Sequence, residues 1–108
     1  MSASEDAEQI ALITRLRSEG WFVFHIPNGM NTNAITGARF KRLGVVAGIP
    51  DLIAINQDGK LIFIEMKKEK GRMSKAQESI HGQLKERDQV IIVGYGAKDA
   101  YNKIHRDN

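Results

Sequence analysis

Pro50-Asp51-Leu52-Ile53-Ala54-Ile55-Asn56-Gln57-Asp58-Gly59-Lys60-Leu61-Ile62-Phe63-Ile64-Glu65-Met66-Lys67 holds two short apolar runs separated by a polar, glycine-ended segment. Each run reads as a strand, Asp51 to Asn56 and Lys60 to Glu65, because it is short, rich in isoleucine and bounded by turn-forming residues. Near-continuous apolar character marks strands covered on both faces, as in the middle of a sheet between helices. Asn56-Gln57-Asp58-Gly59 fits a type I turn, with Asn first and Gly fourth. With Gly59 in the left-handed region it becomes a three-residue hairpin loop with a bulge. The register follows: Asn56 faces Lys60, and Asp51 faces Glu65. The Cβ atoms of such opposed residues lie about 5 Å apart on one face. Lys67, two residues beyond Glu65, projects from the same face. A two-residue turn at Asp58-Gly59 would instead send the two carboxylates to opposite faces.

On the N-terminal side, Ser4 to Glu19 reads as a helix stopped by Gly20, with Ile10, Leu12, Ile13 and Leu16 as its buried stripe. Trp21 to Ile26 is aromatic and β-branched, so it reads as a strand, ended by the turn chemistry of Pro27-Asn28-Gly29. Trp21, Phe22 and Phe24 fit a core role better than a base-stacking one. From Met30 to Gly48 the chain is polar and glycine-punctuated, with a short helix expected near Gly37 to Leu43. On the C-terminal side, Ser74 is a good N-cap for a helix reaching Arg87. Val90 to Val93 reads as a core strand and Ala97 to Arg106 as a closing helix. The expectation is one α/β (α+β mixed) domain spanning residues 1–108, a central mixed sheet flanked by helices. Its order is helix, strand, short helix, two strands, helix, strand, helix.

A length of 108 residues suits a single domain, and 42% hydrophobic with 27% charged residues is ordinary globular composition. The apolar runs are too short to span a bilayer. The polar, acidic N-terminus lacks the pattern of a signal peptide. A cytoplasmic protein with no membrane partner is therefore expected. Without cysteine there is no disulfide framework and no thiolate zinc site. His25, His81 and His105 show no ligand spacing and read as core or surface residues. The net charge of +3 permits an anionic partner without demonstrating one. Its distribution says more: Arg39, Lys41 and Arg42 form one basic cluster, and Lys67, Lys68, Lys70, Arg72 and Lys75 another. Taken alone, each is more often a solvated face.

Two carboxylates held about 5 Å apart repel unless a positive charge lies between them. A hard divalent cation serves this purpose, and magnesium accepts one or two carboxylates while keeping open positions for water and phosphate oxygen. Such an ion would polarise a phosphodiester and activate a bound water. Lys67 beside it would offset charge building on phosphorus. The competing explanation is a turn aspartate plus a cross-strand ion pair. Against it, Glu65 and Lys67 end an otherwise apolar strand, where charges need a partner or a metal.

Pro50-Asp51 followed by Glu65-Met66-Lys67 resembles the PD-(D/E)xK nuclease signature. With Pro27-Asn28-Gly29, Gly44-Val45-Val46-Ala47-Gly48-Ile49-Pro50-Asp51-Leu52, Gly71-Arg72-Met73-Ser74 and Gln77, the chain is similar to the virus-type replication-repair nuclease (VRR-NUC) domain. The bare signature is weak, whereas the ordered set is specific and covers nearly the whole chain. The resemblance implies a restriction-endonuclease-like fold and a structure-selective, Mg2+- or Mn2+-dependent DNA endonuclease. It further implies a homodimer resolving four-way junctions, since symmetric cutting needs two sites about a two-fold axis. It makes Asp51, Glu65, Lys67 and Gln77 the catalytic set, with Asp51, Glu65, Met66 and Glu5 around the metal. The family places an acid and a glutamine on the first helix; Glu5 and Gln9 share a stripe with Leu12 and Leu16, and Glu8 is the reserve. An acidic first turn is also favoured in any helix. For Gln77, Ser74-x-x-Gln77 is a capping box, which competes with an active-site contact. Asn28, Arg39, Lys41, Arg42, Lys68, Lys70 and Arg72 would grip DNA backbone, giving salt-dependent binding with little base preference. The alternatives are a flap or branched-DNA nuclease, a non-catalytic DNA-binding module, and a structural domain whose charges pair internally.

Overall fold

The turn from Asn56 to Gly59 closes as its side chains require. The Asn56 Oδ1 accepts the backbone N–H groups of Asp58 and Lys60, both at 2.9 Å. Gly59 sits at φ 88° and donates to the Asn56 carbonyl at 3.0 Å, while Asn56 N donates to the Lys60 carbonyl at 3.0 Å. The structure, a computed structural model, describes residues 4–27 and 34–106. Its elements are α1 (Glu5–Ser18), β1 (Phe22–His25), α2 (Ala34–Arg42), β2 (Leu52–Ile55), β3 (Leu61–Lys67), α3 (Lys75–Glu86), β4 (Val90–Tyr95) and α4 (Ala97–Arg106). The expected element order is observed in full. In the antiparallel β2–β3 hairpin, Leu52 lies opposite Ile64 and Ile55 opposite Leu61, which is the register set by the three-residue loop.

The sheet order is β1-β2-β3-β4. The first three strands are antiparallel neighbours and β4 runs parallel to β3, so the sheet is mixed. Both β3 and β4 run two residues past their expected ends, because they stay paired until Lys67 meets Tyr95. Gly94 suggests a strand end, yet it serves close packing: a Cβ there would come within 2.4 Å of the Ala100 Cβ on α4. The second helix starts at Ala34, ahead of the expected Gly37.

Leu12 and Leu16 of α1 and Ala100 and Ile104 of α4 bury against Val23, Leu52, Ala54, Ile62, Ile64, Met66 and Ile92. Ile10 does not join this stripe and is 63% exposed. Two positions along a helix turn it by about 200°, so Ile10 faces away from Leu12. The opposite sheet face carries α3, which packs against β4. The β1 side of that face is left more open, and Phe22, expected in the core, is 66% exposed. Trp21 is buried and Phe24 half-buried. Since side chains alternate along a strand, Asp51, Glu65 and Lys67 share the α3 side, opposite the Leu52–Ile64–Met66 core. Among the described residues no helix is long and apolar enough to cross a membrane.

Candidate active site

Asp51 precedes β2 and is pinned through both main chain and side chain. Its carbonyl accepts from Ile26 N at 2.8 Å and lies 2.8 Å from the His25 Nδ1. Its Oδ2 accepts from the backbone N–H of Met66 at 2.8 Å. That bond ties the aspartate to the far strand and aims its carboxyl group at Glu65. The Met66 side chain is buried in the core, so only its main chain reaches this face.

Glu65 is 2% exposed, an unusual position for a carboxyl group. Burial first, then a hydrogen bond with Asp51 and its nearby charge, push its pKa up to about 8; Lys67 opposes the rise and Glu5 adds to it. The Glu65 carboxyl is held between two side chains one turn apart on α3. Gln77 Nε2 donates to Oε2 at 3.4 Å, and His81 Nε2 lies 3.3 Å from Oε1. Desolvation lowers the His81 pKa, aided by the positive charges of Lys85 and Lys67, which favours the neutral imidazole. His81 is therefore a buried partner of the site rather than a bystander. The cue in sequence was its i, i+4 relation to Gln77, which puts both on one helix face.

Gln77 makes the capping bonds and also touches the charged pair. Its Oε1 accepts from Ser74 N at 2.9 Å, while Ser74 Oγ accepts from Gln77 N at 3.1 Å, a complete capping box. The same Oε1 accepts from the Lys67 Nζ at 2.7 Å. The cap thus orients one amide that touches both the acid and the lysine.

A cleft of about 520 Å³ opens beside Lys67, lined by Glu5, Glu8, Lys68, Glu69, Lys70, Tyr95 and Gly96. It lies past the C-terminal ends of the two parallel strands, where open α/β sheets commonly bind ligands. Glu8 Oε1 accepts from Ala97 N at 2.9 Å, so the reserve acid is committed to the start of α4. Glu5 is exposed at the cleft. Among the described residues, no three His, Asp or Glu side chains gather closely enough to hold a metal. The close pair is Asp51 with Glu65, and Glu5 stands off because it lies on the exposed first turn of α1. Gln9 Nε2 lies 3.4 Å from His25 Nδ1, which in turn lies 2.8 Å from the Asp51 carbonyl.

Of the expected DNA-gripping cations, Lys68 and Lys70 line the cleft and Arg72 is exposed on the loop before α3. Arg39, Lys41 and Arg42 are exposed on α2. Asn28 lies outside the described residues.

The donor set suits a hard cation. A carboxyl group that keeps its proton near neutral pH beside a second carboxyl is where a divalent ion can replace that proton, and both groups offer oxygen donors. The Met66 carbonyl could add a neutral oxygen.

A mixed sheet between helices, with an acid pair and a lysine at its centre, makes up one α/β domain. The VRR-NUC domain model matches residues 4–97, and the chain belongs to that family of nuclease domains. Two solved structures share the fold. One, described as a VRR_NUC domain protein, is 23% identical with a TM-score of 0.77, covering 98% of this chain and 88% of its own. Another, described as a VRR_NUC domain, is 21% identical with a TM-score of 0.74, covering 96% of this chain and 97% of its own. A search of curated proteins found no match.

Proposed function

We propose that this nuclease domain is a divalent-metal-dependent DNA endonuclease that acts as a homodimer on four-way junctions. The observation that carries the catalytic part is the convergence of Asp51 and buried Glu65 beside Lys67 and Gln77. Asp51, Glu65 and the Met66 carbonyl would hold Mg2+ or Mn2+, with Glu5 reaching it through water. When bound, the ion polarises the scissile phosphate and lowers the pKa of a coordinated water. The protein's own groups do the rest. Met66 N and His25 fix Asp51; Gln77 and His81 fix Glu65. Lys67 spends one donor on Gln77 and keeps others for a phosphate oxygen or the attacking water, where it offsets developing negative charge. The cleft lining sets Glu5, Glu8 and Glu69 against Lys67, Lys68 and Lys70, so further positive charge from the ion and from Arg72 on the loop before α3 would be needed to admit a phosphate chain. Arg39, Lys41 and Arg42 extend this grip, making binding strongly salt-dependent and indifferent to base sequence.

The assay incubates the protein with end-labelled four-way junctions, flaps and duplex in Mg2+, Mn2+ or EDTA. Cleavage is expected with either metal and none in EDTA, with junctions cut fastest. Lys67→Ala should slow cutting about 100- to 1,000-fold. No cleavage of any substrate with either metal would leave a binding module. Wild-type rates in Lys67→Ala would place the centre elsewhere.

The dimer reading rests on Leu43, Val45 and Val46, which follow α2 and are 67%, 50% and 44% exposed. Apolar side chains grouped this way suit a self-complementary two-fold contact. Sedimentation equilibrium should report a dimer for the wild type and a monomer for the double variant Val45→Asp, Val46→Asp. A dimer persisting in that variant would put the interface on another surface.

A further inference from the structure

We propose that Tyr95 is a nucleobase-stacking subsite that selects DNA with an unpaired nucleotide next to the scissile phosphate. This rests on the nuclease reading and assigns a role to a residue that reading leaves unused. The placement comes from strand pairing. In the parallel β3–β4 register Tyr95 lies directly beside Lys67, so both side chains leave the sheet on one face, about 4.8 Å apart in strand spacing. Tyr95 also lines the cleft, with Lys67, Lys68 and Lys70 and with Glu5, Glu8 and Glu69, and is 43% exposed.

The ring is braced rather than loose. Tyr95 N donates to Asp99 Oδ2 at 2.8 Å, which fixes the backbone beneath it. Lys103 Nζ sits 5.2 Å from the ring centroid, and is itself held by the Val93 carbonyl at 2.7 Å and Asp99 at 3.0 Å. An ammonium over one face supports the ring by cation–π attraction and leaves the exposed remainder bordering the cleft. Among the described residues the phenolic hydroxyl has no hydrogen-bond partner. Neither core packing nor an internal polar bond accounts for a large aromatic at this spot.

An exposed aromatic in a cleft where Lys67, Lys68 and Lys70 stand among Glu5, Glu8 and Glu69, and which abuts the proposed phosphodiester-cleaving centre, offers the ring and the cations of single-strand recognition. There cations track the backbone while a ring stacks a base without regard to its identity. Bases within a duplex are stacked on each other and hidden from a protein at the phosphate edge. Only a base that is unpaired or turned out can reach Tyr95. Branch points, flaps and single-stranded ends provide such a base; continuous duplex does not.

The test measures binding in EDTA, where cleavage is blocked, using fluorescence anisotropy with a single-stranded oligonucleotide, a flap and a duplex at one salt concentration. A 2-aminopurine placed at successive positions reports stacking by quenching. Tyr95→Ala should weaken single-strand and flap binding about 5- to 100-fold and abolish the quenching, with duplex affinity unchanged. Tyr95→Phe should retain both, since the ring and not the hydroxyl does the stacking. Thermal melts of both variants should match the wild type, because the ring is not part of the core. Equal weakening for duplex and single strand, or no weakening at all, would overturn the subsite while leaving the nuclease reading intact if the wild type still cuts. A wild type that neither binds nor cuts any DNA would overturn both.

Discussion

Glu65→Gln is expected to abolish cleavage while removing most of the pH sensitivity of the metal-free protein's stability. In the folded chain Glu65 titrates at about 8, against 4.5 for an unperturbed glutamate. Between those values the folded state keeps a proton that the unfolded state has released. Stability therefore falls as pH rises from about 4.5 to about 8, and stays low above that. Glutamine cannot ionise, and its amide can still meet Gln77 and His81. Thermal denaturation in EDTA from pH 5 to pH 9 gives two curves, and their difference isolates Glu65 from every other titrating group. The wild-type midpoint should drop across that range relative to the variant, which should be the more stable of the two at pH 9. Adding Mn2+ at pH 7 should raise the wild-type midpoint and leave the variant's nearly unchanged, since ligand binding stabilises only a fold that holds it. Cleavage should fall about a thousandfold or more, the variant lacking a charged ligand for the ion. Parallel pH curves would show that the buried proton is not on Glu65. Undiminished stabilisation by Mn2+ would show that the ion binds elsewhere.

The pairing of Asp51 with Glu65 was legible in sequence because it follows from local chemistry. Asn56 and Gly59 specify the loop, the loop specifies the register, and the period of two carries it along both strands to the acids. Lys67 followed by the same alternation. His81 and His25 were not legible in this way. His81 meets Glu65 only once α3 lies on the sheet, and His25 meets Asp51 only once β1 pairs with β2. Spacing along the chain marks nothing of the His25 contact, and for His81 it gives only the i, i+4 relation to Gln77, which says nothing of Glu65. Gln77 looked like a choice between a cap and a catalytic contact, but an amide oxygen has two lone pairs, and Ser74 and Lys67 take one each. Phe22 was misread for a different reason. Aromatic, β-branched strands are usually covered, but α3 lies toward β4 and leaves the β1 side more open. How far a covering helix extends is a property of the assembled sheet, and no window of residues encodes it.

Gly48 shows how the site depends on a residue with no side chain. It lies buried at φ 85°, and a Cβ built there would fall 2.5 Å from the Ala76 carbonyl carbon and oxygen and 2.8 Å from Gln77 N. The obstacle is helix backbone, which cannot swing aside as the tip of a long side chain can. Gly48→Ala should thus combine a left-handed backbone cost of about 1–2 kcal/mol with overpacking of about 1–3 kcal/mol. Together these are a large part of the roughly 5–15 kcal/mol that holds a domain folded. Gly59→Ala is the control: φ is 88° there too, but nothing lies within 4 Å of the added Cβ, so only the backbone cost of about 1–2 kcal/mol applies. Urea unfolding of both variants separates the two contributions. The clash also has a functional reading, because it is relieved when α3 moves away from the Gly48–Asp51 segment. That motion carries Gln77 and His81 off Glu65 and withdraws the acceptor on which Lys67 rests. Gly48→Ala should therefore lose cleavage even under conditions where it remains folded, whereas Gly59→Ala should keep it, because its hairpin end is remote from the acids. Equal stability losses in the two variants would mean that the α3 backbone yields without cost, and that the contact with Gly48 does not set the position of Gln77.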